Sequence, residues 1–188
     1  TGVNAIGILL PFLLTINGMD QGLKRILKKY VTLFLQGHDG AGAGVACADA
    51  ISGPLTMNMG EFSAKDGTVI CQMDIRYPVT TDFALLWHDL EEKVEAEDLH
   101  LQINEHKKPL FVPADHPLVK NLCAVYQEMT GDFTPPLVIG GGTYCRALEN
   151  FVAFGPMFPG RPDTVHQANE HIPIPDLVLM AKIYAQAI

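Results

Sequence analysis

Basic charge is scarce in this sequence: Lys and Arg total 13 against 21 Asp and Glu, a net of −8 over 188 residues. An acidic balance of that size excludes nucleic acid or an anionic membrane as the main partner. The one basic cluster, Lys24, Arg25, Lys28 and Lys29, has the helical spacing of a solvated face. Cysteine is also sparse, with Cys47, Cys71, Cys123 and Cys145 scattered singly. Zinc-knuckle and thioredoxin-like spacings are both missing, and so few thiols make no disulfide framework. They read as reduced thiols of a cytoplasmic protein. No apolar run is long enough for a bilayer, because the stretch from Ala5 to Ile16 is short and contains Pro11. That stretch also lacks the basic flank and small-residue cleavage site of a signal peptide. Internal repeats and low-complexity tracts are absent. The start at Thr1, without Met and straight into a helical pattern, reads as a piece of something longer.

What is present is a globular balance, 48% apolar and 18% charged, with enough chain for a real core. Asn4 to Leu10 reads as a helix entered through Thr1-Gly2 and interrupted near Pro11. Between Gln21 and Tyr30, the residues Leu23, Ile26, Leu27 and Tyr30 recur at amphipathic helical spacing. A Gly- and Ala-rich loop over 37–44 precedes a strand, Leu55 to Phe62, with period-two alternation. The Asp66-Gly67 pair predicts a hairpin turn, and Val69 to Tyr77 the return strand, stopped at Pro78. Thr81 or Asp82 caps a helix running to about Ala96. Leu99 to Ile103 and Leu110 to Val112 read as a further strand. These elements predict an α+β fold, a ferredoxin-like unit with helices on one face of an antiparallel sheet, over residues 1–112.

From Pro113 onward the grammar changes. Pro117 to Met129 is a helix closed by Gly131, and Asp176 to Ile188 is another. The apolar runs Leu137-Val138-Ile139 and Phe151 to Gly155 read as strands buried on both faces, part of an α/β sheet. Residues 113–188 are thus expected to be a partial α/β segment.

Three constellations carry chemistry. Gly140-Gly141-Gly142-Thr143-Tyr144-Cys145-Arg146 follows one apolar run, and its glycines let backbone N–H groups approach an anion beside Arg146. A tight structural turn is the competing reading, and the spacing matches neither a dinucleotide fingerprint nor a P-loop. His166, on a loop rich in Pro and Gly and flanked by Asp163 and Glu170, has the setting of a metal ligand; a plain surface histidine fits equally. Arg76, at a strand end, could grip a carboxylate or pair with Asp74. The other histidines, His38, His88, His100, His106 and His116, show no ligand spacing and read as surface residues.

Taken together, Gly53 through Gly60, Asp74-Ile75-Arg76-Tyr77-Pro78, Gly140 through Arg146, Val152 through Gly155, Phe158-Pro159-Gly160, and then Asp163, His166 and Glu170 carry a resemblance. In order and spacing they resemble the dipeptidase V type of co-catalytic zinc dipeptidases, over nearly the whole chain. The resemblance implies a catalytic α/β domain interrupted by a lid of two ferredoxin-like halves. Residues 1–112 would be the second lid half and 113–188 the closing part of the catalytic domain. In such enzymes two zinc ions activate a water, with a Glu as general base, to hydrolyse a dipeptide. By the same resemblance His166 is the last zinc-binding histidine and Arg76 the contact to the substrate's C-terminal carboxylate. Gly142, Thr143 and Arg146 would form the substrate loop. The other zinc ligands, the general base and a lid histidine before Gly2-Val3-Asn4-Ala5 would lie upstream of Thr1, so no catalytic residue is assigned here. This chain alone is expected to be inactive, to bind zinc weakly or not at all, and to self-associate through open sheet edges. The alternative is a non-catalytic ferredoxin-like module for small-molecule binding or dimerisation.

Overall fold

A computed structural model describes residues 3–155 and 157–188. The elements run α1 (Ala5–Leu14), α2 (Gln21–Phe34), β1 (Ala48–Asp49), β2 (Gly53–Pro54), β3 (Thr56–Lys65), β4 (Thr68–Arg76), α3 (Phe83–Glu95), α4 (Pro117–Thr130), a 3-10 turn (Tyr144–Ala147) and α5 (Ile174–Ala187). They fall into two units, Thr1–Pro109 and Leu110–Ile188. The architecture is α+β: helices with two small antiparallel ladders, β1–β2 and β3–β4.

In the first unit α1 is capped by Asn4, whose side chain accepts the Gly7 N–H at 3.0 Å. The expected entry through Thr1-Gly2 lies outside the described residues. Contrary to the expected break at Pro11, α1 runs through it to Leu14. The proline removes one helical N–H and costs about 3 kcal/mol. Against that, Leu10 is fully buried and Ile6, Leu13 and Leu14 pack on the same core, each worth about 1.5–3 kcal/mol when fully buried. Burial wins. Helix α2 likewise extends a turn past the expected Tyr30, because Leu33 and Phe34 continue the apolar stripe and are buried.

The β3–β4 hairpin turns at Asp66 and Gly67, both at positive φ (51° and 77°) as a two-residue turn between Lys65 and Thr68 requires. The register shifts between Met59 and Glu61, so Gly60 is an extra residue in β3. Leu55, Met57 and Met59 face the core at odd positions; the bulge moves the inward phase to even ones. Phe62 therefore packs against the core, its ring edge-on to Tyr30 at 5.2 Å. Helix α3, capped by Asp82 through the Ala84 N–H at 2.8 Å, adds Leu86, Leu90 and Val94.

The strand expected over Leu99 to Ile103 and Leu110 to Val112 does not form. Leu99 and Leu101 pack against the core as side chains without joining a ladder, and Pro109 and Pro113 withhold N–H donors from the second stretch. In the second unit α4 and α5 pack together, with Val119 and Ile183 buried. Helix α4 begins on His116, whose Nδ1 accepts the Leu118 N–H at 3.2 Å, and ends at Gly131 at φ 70°. The expected strands Leu137 to Ile139 and Phe151 to Gly155 are irregular instead, and Leu137 is 81% exposed. A doubly covered strand needs ladder partners on its edges, and the second unit has no strand among its described residues.

Asp49 ties the start of the β1–β2 ladder to the chain that leaves β4. Its Oδ1 accepts the Ser52 and Ile51 N–H groups and the Ser52 hydroxyl, and its Oδ2 accepts the Thr80 N–H and hydroxyl. Ser52 Oγ in turn accepts the Val79 N–H at 3.0 Å. These donors, the Ser52 N–H first among them, hold the carboxyl at about 2, below its ordinary 3.8.

Two predictions follow from this packing. A Cβ on Gly42 would sit 2.5 Å from the Thr32 carbonyl oxygen and 2.7 Å from that of Leu33. Gly42→Ala should therefore destabilise the first unit by about 1–3 kcal/mol. Urea unfolding followed by the fluorescence of the single tryptophan, Trp87, reads this; an unchanged midpoint would contradict it. Because the folded-state pKa of Asp49 is depressed, its contribution is full above the unfolded carboxyl's value and is lost as pH falls through about 2. Asp49→Asn should remove part of the stability loss between about pH 4 and pH 2, measured by the same unfolding curves across that window.

Candidate functional site

Arg76 ends β4, where side chains alternate between the core and the outer face. It lies on the outer face with Gln72 and Asp74, opposite Thr56, while Asp74 stands opposite Asn58. Its guanidinium pairs with Asp74, Nη2 to Oδ2 at 2.8 Å, with both side chains about half exposed (52% and 54%). That hydrogen bond, and then the Asp74 charge, raise the Arg76 pKa above its ordinary value. An exposed pair of this kind is worth roughly 0–1 kcal/mol. Asn4 borders the same face: its Nδ2 donates to Asn58 Oδ1 at 2.7 Å and to the Met59 carbonyl at 2.8 Å. Val3, Asn4, His38, Thr56 and Asn58 line a shallow groove there.

Beyond Arg76, Tyr77 stacks on Phe83, and His106 stacks on Phe83 from a centroid distance of 3.6 Å. The Tyr77 hydroxyl and His106 Nε2 are 2.8 Å apart. His106 is exposed, as expected of a surface histidine, and also ties the loop after α3 to the end of β4. His116 serves as the cap of α4. Neither role carries a ligand-like spacing, so sequence alone offered no signal for them. Asp49 was also missed; the only sequence signal is the Asp-x-x-Ser run before Gly53, which favours a side-chain-closed turn.

In the second unit the glycine loop brings Gly142, Thr143 and Arg146 together. Thr143 is extended (φ −124°, ψ 167°) and begins the 3-10 turn, with the Arg146 N–H donating to the Thr143 carbonyl at 3.2 Å. The Arg146 guanidinium folds back over Gly142, within 3.9 Å of where a Cβ would be. All three are exposed.

His166 is exposed and sits in a loop built from its own hydrogen bonds. Its backbone is left-handed (φ 60°), as is that of Asn169 (φ 62°), a conformation residues with a Cβ adopt at a cost. Glu170 Oε2 accepts the His166 N–H at 3.2 Å, and Gln167 Nε2 donates to the Asp163 carbonyl at 2.7 Å. Asp163 Oδ1 accepts the Val165 N–H at 3.1 Å. Of the residues singled out from sequence, Asp163 and Glu170 thus brace the histidine's backbone. Arg76 lies in the other unit.

Gly155 has the clearest steric requirement in this region. It is at φ 87°, and a Cβ there would fall 2.6 Å from the Tyr184 hydroxyl, which donates to the Phe154 carbonyl. No sequence motif points to Arg161, yet its guanidinium makes two bonds of 2.6 Å to Asp176, a carboxylate buried in the first turn of α5. These bonds, then the Asp176 charge, raise the Arg161 pKa.

Among the described residues no three His, Cys, Asp or Glu side chains converge as a metal cage. His166 offers one imidazole, whereas a zinc centre takes three or four protein donors. The donors of this chain alone therefore do not fit a zinc ion. The four cysteines form no disulfide, and burial pushes the Cys71 thiol up to about 12, which leaves it inert. No helix among the described residues is long and apolar enough to cross a membrane.

Comparison with known proteins adds the family. The pattern of the peptidase family M20/M25/M40 matches residues 15–188. The whole chain aligns at 42% identity over 188 residues with a Bacillus subtilis (strain 168) protein named "Putative dipeptidase YtjP". It aligns at 34% with a Staphylococcus epidermidis protein and at 32% with a Staphylococcus haemolyticus protein, both also named as dipeptidases of that standing. In each case all of this chain is covered but only 40% of the relative, so the chain spans about two fifths of its curated relatives' length. Matched over residues 15–188, the chain belongs to the peptidase family M20/M25/M40.

Proposed function

We propose that this chain is the C-terminal part of a zinc-dependent dipeptidase, its first unit the second half of a lid and its second unit the end of the catalytic domain. The observation that carries the reading is the state of His166: exposed, held in a costly left-handed backbone and braced by Glu170. Asp163 and Glu170, the acids that flank it in the sequence, supply the bonds that hold this loop. Under this reading His166 is one zinc donor, and Gly142, Thr143 and Arg146 line the substrate. Arg76 forks the dipeptide's C-terminal carboxylate, turning from its solvent-exposed pair with Asp74.

Zinc would supply the activated water, but the donors here do not complete its cage, and no hydrolytic step is assigned to this chain alone. Catalysis belongs to a protein that also carries what the relatives' remaining length provides. The unpaired thiols accord with the cytoplasm. The competing idea, a non-catalytic ferredoxin-like binding or dimerisation module, leaves the braced loop and the glycine turn without a task.

Supplied with zinc, the 188-residue chain should not turn over dipeptides. Joined to the further length its relatives carry, it should. In the joined protein His166→Ala should lower kcat/KM by about a hundredfold or more. Arg76→Ala should raise KM by about ten- to a hundredfold with a smaller change in kcat. An inactive joined protein, or one untouched by His166→Ala, would overturn the proposal.

A further inference from the structure

The loop that carries His166 leaves the chain at Arg161 and returns to it at Asp176. These two residues are joined across its base: Arg161 Nε donates to Asp176 Oδ2 and Nη2 to Oδ1, each at 2.6 Å. The Asp176 side chain is 6% exposed and that of Arg161 49%. A carboxylate so far out of water requires a partner, and a two-bond guanidinium fork fixes angle as well as distance. Inside this base a second closure joins Thr164 and His171, the Thr164 hydroxyl meeting the His171 carbonyl and N–H at 3.3 and 3.4 Å. The innermost brace is the bond from the His166 N–H to Glu170. The three closures are nested, and the outermost is the only one anchored to a regular helix, α5.

We infer that Arg161 and Asp176 are positioning residues, their ion pair closing the base of the 162–175 loop and so holding the left-handed backbone that presents the His166 ring. The inference deepens the proposed function and rests on it for the meaning of His166. The loop's order, however, is measurable without metal or substrate. Inside the clamp the other bonds span few residues: Gln167 N–H to the Thr164 carbonyl at 3.0 Å, Glu170 N–H to the Gln167 carbonyl at 3.2 Å, Gln167 Nε2 to the Asp163 carbonyl at 2.7 Å, and the Thr164–His171 and His166–Glu170 bonds. They fix local turns and do not join the loop's two ends. The clamp supplies what they lack: it brings the loop's ends together before the inner bonds form, which lowers the entropy they must overcome.

The test is nuclear magnetic resonance on the intact metal-free chain, comparing the native protein with Arg161→Gln and Arg161→Lys. The backbone shifts of His166 and Asn169 report the left-handed conformation, and the His166 amide exchange rate reports its bond to Glu170. In Arg161→Gln the left-handed shifts should be lost and His166 exchange should quicken about tenfold or more, while amides of α4 and α5 keep their protection. Arg161→Lys, which keeps the charge but not the fork, should fall between. Native shifts at His166 in Arg161→Gln would overturn the inference. Loss of α4 and α5 protection along with the loop in both variants would also overturn it, since the pair would then be a general staple of the second unit. Failure of the joined protein to hydrolyse dipeptides would leave these readings standing and would remove only the zinc role of His166.

Discussion

The pairing register of β3 and β4 decides what the first unit can present. A two-residue turn at Asp66 and Gly67 sets that register, and the extra residue at Gly60 shifts it midway. A slip of β4 by one position against β3 would send Met73 and Ile75 to solvent and Arg76 into the core. The burial of those apolar side chains against α1, α2 and α3 is therefore what keeps Arg76 and Asp74 on the outer face. Beyond Arg76, two local devices hold the departing chain: the Asp49–Ser52–Thr80 network and the stack of Tyr77, Phe83 and His106. A flexible surface arginine is thereby given a fixed origin.

The second unit solves a different problem with little regular structure. Helices α4 and α5 supply a small core, and irregular segments between them are fixed by single contacts: Tyr184 to Phe154, Tyr126 stacked on Phe158, Arg161 to Asp176. Apolar residues such as Leu137 and Tyr144 remain exposed. Loops with bound histidines and glycine turns are what catalytic machinery is commonly made of, because loops can bring groups together that helices and strands hold apart.

Local signals in the sequence carried furthest where they stood alone. Asp66-Gly67, the Asp82 cap and the Gly131 stop each act through one residue's backbone preference or side-chain bond, and each holds. Expectations that depended on partners failed. Leu99 to Ile103, Leu137 to Ile139 and Phe151 to Gly155 have strand-like composition, but a strand exists only as half of a ladder, and the sequence of the strand does not name its partner. Pro11 failed for the reverse reason: a local breaker was outweighed by tertiary burial of Leu10. Arg161 and Asp176 stand apart from Arg76, the glycine loop and His166, the residues to which the family resemblance points. Asp49, His106 and His116 act through contacts that no spacing announces.

As proposed, His166 is a zinc donor whose cage is completed by groups this chain does not contribute. A crystal structure of the zinc-loaded protein carrying the relatives' full length, with anomalous scattering at the zinc edge, tests this directly. A ring nitrogen of His166 is expected about 2.0–2.1 Å from a zinc ion, with Arg76 turned from Asp74 to the substrate carboxylate when a dipeptide is bound. Zinc bound without the His166 ring in its coordination sphere would contradict it.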